Sequence, residues 1–219
     1  MRIFVAGASG VIGTRLVPLL VAEGHVVAGM TRSAGKAGLL AGLGAEPVVA
    51  DVFDTEALTR AVVSFAPEVI FHQLTDLPDN AGEIAAYGDR NDRMRSEGTR
   101  NLLAAAAAAR AARVIAQSIS WELPSAPRRA VTAAHERAVL AAGGVVIRYG
   151  QLYGPGTYYP SAPPDPPRIH VDDAARQSMP ALTAPAGVTL VADDRAAVDH
   201  GAVDHGAGGR AAGNRKDQP

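Results

Sequence analysis

Gly7-Ala8-Ser9-Gly10-Val11-Ile12-Gly13 follows Arg2-Ile3-Phe4-Val5-Ala6, an apolar run of strand length, and opens the helical pattern of residues 11–22. Three glycines in this spacing do three jobs. The first allows a tight turn, the second lets a ligand approach the backbone, and the third lets the helix pack hard on the strand. Exposed amides and the positive end of the helix dipole then attract an anion. A second strand pattern, His25–Met30, follows the helix, so the glycines sit inside a β-α-β unit. That context implies a pyrophosphate, and hence a dinucleotide, held by Gly7, Ser9, Gly10, Val11, Ile12 and Gly13.

The same alternation continues outward from this loop. Glu46–Ala50, Val69–Gln73, Arg113–Gln117 and Gly144–Arg148 are short runs of strand character, with helical patterns near 55–65, 81–110 and 132–142 between them. Near-continuous apolar strands separated by helices imply a parallel sheet buried on both faces. The fold expected is α/β, a doubly wound parallel sheet of the Rossmann type with a reduced C-terminal substrate lobe. Thr132 is expected to cap the helix that ends at Gly143, and Pro18 to kink the first helix. Residues 1–153 form the expected dinucleotide-binding domain, 154–194 a short substrate-lobe segment and 195–219 a disordered tail. Residues 154–167 are too rich in proline for regular structure, and the tail is too polar and glycine-rich to offset its ordering entropy.

Composition narrows the functions. A net charge of −1 gives no bulk attraction to nucleic acid or an anionic membrane, and the absence of cysteine excludes disulfides and thiolate chemistry. No leader-like or membrane-spanning run is present, so a cytoplasmic location is expected. The second strand is followed by Thr31-Arg32-Ser33. An acidic residue there would hold a ribose 2′-hydroxyl, whereas an arginine accommodates a 2′-phosphate. Arg32 thus favours NADP over NAD.

Several further motifs, in order, resemble the extended short-chain dehydrogenase/reductase superfamily in its NAD-dependent epimerase/dehydratase branch. They are Asp51-Val52, His72-Gln73-Leu74, Asn91, Gly98-Thr99-Arg100-Asn101-Leu102-Leu103, Arg148 to Pro155 and Arg168 to Ala174. The resemblance implies that Asp51 and Val52 meet the adenine and that Leu74 lies where the fourth strand meets the cofactor. It also implies a small carbonyl, hydroxyl or sugar-like substrate, and a homodimer formed through paired long helices.

The catalytic pattern of that superfamily is a Tyr-x-x-x-Lys pair with a nearby hydroxyl. This chain has two lysines, Lys36 and Lys216, and neither has a tyrosine four residues earlier. Aligning the helix on Glu136 puts Arg128 and Thr132 in the two slots. Ser118 and Ser120, after the fifth strand, are the catalytic hydroxyl candidates. Tyr87, Tyr153, Tyr158 and Tyr159 would need the fold to carry them to the nicotinamide. His170 with Asp172 and Asp173, and His200 and His205 in the tail, are read without a metal. Three readings stay open: an oxidoreductase with atypical acid/base residues, a cofactor-binding sensor without turnover, and a degenerate relative.

Overall fold

The computed structural model describes residues 1–193. Seven parallel strands run β3-β2-β1-β4-β5-β6-β9, comprising β1 (Arg2–Ala6), β2 (Val26–Thr31), β3 (Glu46–Val49), β4 (Val69–His72), β5 (Arg113–Ile119), β6 (Val145–Tyr149) and β9 (Gly187–Val191). A separate pair, β7 (Gln151–Tyr153) with β8 (Arg168–His170), frames the proline-rich segment.

Alternate side chains of each central strand enter opposite layers, which is why the strands read as unbroken apolar runs. Ile3, Val5, Val69 and Phe71 pack with α1 (Gly13–Ala22), α2 (Ala37–Gly42) and α7 (Val171–Ser178) on one face. Phe4, Ala6 and Ile70 pack with α3 (Thr55–Phe65) and α5 (Thr99–Ala108) on the other, beside α4 (Gly88–Arg93) and α6 (Ala126–Ala141). The sheet is the doubly wound Rossmann arrangement expected from sequence.

Several details differ from the expectation. The pattern over 81–110 is not one helix. A 3₁₀ stretch (Ala81–Tyr87) precedes α4, and one π-helical turn (Met94–Gly98) joins α4 to α5. A Cβ at Gly98 would lie 2.9 Å from Met94 Sδ and 3.4 Å from Val52 Cγ1, so glycine gives this turn room over both side chains. Thr132 does not cap α6. That helix starts six residues earlier, behind Ser125 with a proline in its first turn, where a missing N–H costs nothing. Thr132 lies inside it and donates to Arg128 O at 3.0 Å. Gly143, with φ +73°, does close the helix end. Pro18 lies on the exposed side of α1, which runs through it.

The stretch expected as a substrate-lobe segment, 154–194, contributes α7 and β9 to the same layers. Its loop portion is fastened to α1 and to the segment after β4. Arg15 Nη2 on α1 donates to Pro155 O at 2.6 Å, and Tyr158 donates to Pro78 O after β4. The expected tail 195–219, with His200 and His205, lies outside the described residues.

Candidate functional site

The strand order reverses between β1 and β4, and the chain leaves both strands at the same end of the sheet. In open α/β sheets ligands bind in that crevice. The glycine loop fills one side of it. Gly7 has φ +89°, and a Cβ there would sit 2.6 Å from Gln73 O. A Cβ on Gly13 would sit 2.4 Å from Gly7 O, so these two glycines are demanded by the protein's own packing. Gly10 is different. Its Cβ would meet one atom, Gly7 O at 3.2 Å, and its outer face is open. A glycine with an open outer face leaves the backbone there accessible to a ligand. The cradle therefore fits a pyrophosphate, with the first amides of α1 as donors.

Beyond the loop lie the other residues that the sequence singled out. Ser9 Oγ donates to Thr31 Oγ1 at 2.9 Å, tying the loop to the end of β2. Val11 is half-buried, while Ile12 lies in the core and anchors the start of α1. Asp51 is exposed and Val52 buried at the end of β3, where Asn101 Nδ2 donates to Val52 O at 3.0 Å. Leu74, half-buried, follows β4 and accepts from Gln117 Nε2 through its carbonyl at 2.8 Å. Arg32 projects from the end of β2, and its Nη2 donates to Asp76 Oδ1 at 3.1 Å. Arg90 reaches the same carboxylate from α4 through Nε and Nη2, both at 3.0 Å. Burial alone would raise the Asp76 carboxyl, but the hydrogen bonds from Arg32 and Arg90 outweigh it and hold the pKa below the usual range. Neither Asp76 nor Arg90 was signalled by the sequence, because each lies far along the chain from Arg32.

The wall at the ends of β5 and β6 is closed. Ser118 is buried and donates to Glu136 Oε1 at 2.6 Å. Arg148 grips both oxygens of Glu136, at 3.0 and 2.6 Å. Burial of Glu136 opposes its ionisation, yet the bonds from Arg148 and Ser118 prevail and keep it a carboxylate. Ser120, half-buried at the end of β5, donates to Tyr149 O at 3.0 Å. Neither slot of the superfamily's pair holds an acid. Arg128 packs on Gly88, where any Cβ would lie 1.7 Å from its Nη1, and Thr132 accepts from Arg95 Nη1 at 2.8 Å. Tyr149 is buried against Ser178, and its phenol is pushed up to about 12 by that burial. Tyr153 donates to Asp193 at 2.9 Å, and the ring of Tyr87 lies against Arg90. His170 caps α7 by accepting from Asp172 N at 3.3 Å.

Behind this wall runs a one-way chain of hydrogen bonds. His135 Nε2 lies 2.9 Å from Gln117 O, which can only accept, so His135 carries its proton there. Its Nδ1 therefore accepts from Thr99 Oγ1 at 2.7 Å, which leaves the Thr99 oxygen to accept from His72 Nε2 at 3.0 Å. His72 Nδ1 then accepts from Leu74 N at 3.3 Å. With both imidazoles neutral, every link is satisfied and the Thr99 hydroxyl both donates and accepts. Burial, with the charge of Arg95 and the neighbouring His135, pushes His72 down to about 3, and burial lowers His135 in the same direction.

Comparison with known proteins agrees with this fold. The NAD(P)H-binding family matches residues 7–142. A 3-diazoavenalumate denitrifying reductase from a Streptomyces species is 37% identical, over 90% of this chain and 77% of its own length. Among solved structures, the UDP-glucose 4-epimerase of Thermus thermophilus in complex with NAD superposes with a TM-score of 0.73 at 22% identity, covering 88% of this chain and 78% of that one. The UDP-glucose 4-epimerase of Thermotoga maritima gives 0.72 at 20% identity, covering 88% and 77%. At these identities the structural likeness establishes the fold. Among the described residues, no helix is long and apolar enough to cross a membrane.

Proposed function

The chain belongs to the NAD(P)H-binding family, within the extended short-chain dehydrogenase/reductase superfamily, and from that premise we propose that it is an NADPH-dependent reductase whose substrate takes up a hydride without needing a proton from the protein. The observation that carries this reading is the closed wall. Ser118 gives its one proton to Glu136, Glu136 is spent on Arg148, and the slots of the superfamily's acid pair hold Arg128 and Thr132.

Gly7, Ser9, Gly10 and Val11, with the start of α1, would hold the pyrophosphate, Asp51 and Val52 the adenine, Leu74 the crevice beyond, and Arg32 the 2′-phosphate that favours NADP over NAD. When bound, the nicotinamide supplies a hydride. Reduction of a carbonyl would then leave an alkoxide that has to be protonated, the task of the missing Tyr/Lys pair. An arenediazonium ion makes no such demand. One hydride on its terminal nitrogen gives an aryldiazene, which releases dinitrogen and leaves an arene, the hydrogen on nitrogen ending on carbon. No net proton is drawn from the protein. Such a diazo arene is the substrate class suggested by the Streptomyces reductase. In this reading Ser118 and Ser120 hold the wall in shape. The loop pinned by Arg15 and Tyr158 helps exclude water from the crevice.

The test is NADPH oxidation followed by absorbance, with dinitrogen release measured in parallel, on a diazotised aminobenzoate and on a panel of aldehydes and ketones, each against a protein-free control. Turnover on the diazo compound with stoichiometric dinitrogen is expected. Turnover on carbonyls alone would refute the acceptor class. Tight NADPH binding with no turnover on either would favour a cofactor-binding sensor.

A further inference from the structure

Two guanidinium groups from distant parts of the chain converge on one carboxylate at the rim of the crevice. Arg32 Nη2 and Arg90 Nη2 donate to the same atom, Asp76 Oδ1, at 3.1 and 3.0 Å. We propose that Arg90 is the second cation of a 2′-phosphate subsite, held toward Arg32 by Asp76. The inference rests on the NADPH reading above and adds to it a residue that no motif marks.

Arg90 is fixed on several sides. Asp76 binds it through two nitrogens, and its guanidinium carbon lies 4.4 Å from the centre of the Tyr87 ring. Asp76 is itself held, since its backbone N–H donates to Asn91 Oδ1 at 3.2 Å, and its side chain is 7% exposed. The two arginine side chains are 57% and 50% exposed, so their remaining N–H groups face outward. One carboxylate between two guanidiniums leaves a net charge of +1. Each guanidinium has five donors in a rigid fork. Arg32 spends one nitrogen on Asp76 and Arg90 spends two, which leaves donors on both for a phosphate oxygen.

The arrangement suits a phosphate monoester for two reasons. Its dianion can accept from both forks at once, in charge-assisted bonds about twice as strong as neutral ones. Asp76 also removes the rotamer freedom of two long side chains before the ligand arrives, which lowers the ordering cost of binding. A ribose with a free 2′-hydroxyl gains little from two more cations, so the effect falls on selectivity.

The decisive probes are 2′-AMP and 5′-AMP, which share the adenosine and differ in where the phosphate sits, titrated calorimetrically beside NADPH and NADH. Arg90→Ala is expected to weaken 2′-AMP and NADPH about tenfold and to leave 5′-AMP and NADH within twofold. Arg90→Lys should recover part of that loss, because lysine keeps the charge and lacks the fork. Arg32→Ala should weaken the same two ligands. If Arg32→Ala does so while Arg90→Ala binds 2′-AMP like the parent, the role given to Arg90 is refuted and the NADPH reading stands. If the parent protein binds NADH as well as NADPH and ignores 2′-AMP, both fall. Arg90 is half exposed on a short helix, so loss of the fold is not expected, and unchanged 5′-AMP binding verifies this within the same experiment.

Discussion

The rim at the ends of β1, β2 and β4 and the wall at the ends of β5 and β6 use the same kinds of residue and reach opposite outcomes. At the rim, Gly10 leaves its outer face open and two arginines keep donors in solvent. At the wall, Ser118, Glu136 and Arg148 satisfy one another, and the hydrogens of His72, Thr99 and His135 are all engaged. A buried polar group without a partner costs free energy, so the wall is stabilised by the hydrogen bonds its own groups make with one another. In the proposed reading, the open rim is where the cofactor is recognised. In the same reading, the closed wall supplies no proton to the substrate.

Four experiments probe that contrast, beginning with the largest effect. Gly10→Val should abolish nucleotide binding, by at least about a hundredfold, because the side chain would fill the open face of the loop. The circular dichroism should be unchanged, since only Gly7 O stands within 4 Å of the new Cβ. Undiminished calorimetric affinity would mean that the rim is not the cofactor site. Glu136→Gln should cost about 2 kcal/mol in urea unfolding, since it weakens the grip on Arg148, whose side chain is 43% exposed and so partly rescued by water. Nucleotide affinity should stay within twofold if wall and rim are independent.

A third, smaller effect comes from pH. Both buried histidines are neutral in the folded chain and bind protons readily once unfolded, so their folded pKa values lie below the ordinary 6.5. Their stabilising contribution is full above that value and is lost as pH falls through it toward about 3, the folded value for His72. The slope is about 1.4 kcal/mol per pH unit for each histidine. Unfolding free energy should fall by more than about 1 kcal/mol between pH 7 and 5.5. A flat profile over that interval would break the one-way hydrogen-bond chain. The smallest expected effect is that of Ser118→Ala on turnover. With no proton drawn from the wall, kcat should change less than about twofold, whereas loss of a true acid/base group typically costs a hundredfold or more.

Much of the fold was legible along the chain. Runs such as Val69-Ile70-Phe71 are apolar on both sides because both faces of their strand are buried, so the parallel sheet could be read without contacts. The glycine loop was equally legible, because φ +89° at Gly7 and the close packing at Gly13 are local demands with a local signature. The start of α6 was misread for an instructive reason. Thr132 looks like a cap, but Pro127 in the first turn already sets the helix from Ala126, and Thr132 bonds Arg95 from another helix.

Local backbone chemistry thus fixed the α/β alternation, the pyrophosphate loop, the arginine after β2 and the absence of a Tyr/Lys pair, because each depends on residues within about one turn or strand of one another. Pairings between residues far apart could only come from the packed chain. Arg32 meets Asp76 across 44 positions and Thr99 meets His135 across 36, and nothing in either neighbourhood names the partner. Side-chain polar groups have many candidate partners of equal chemistry. Which ones meet is settled by where the strands and helices bring their ends together.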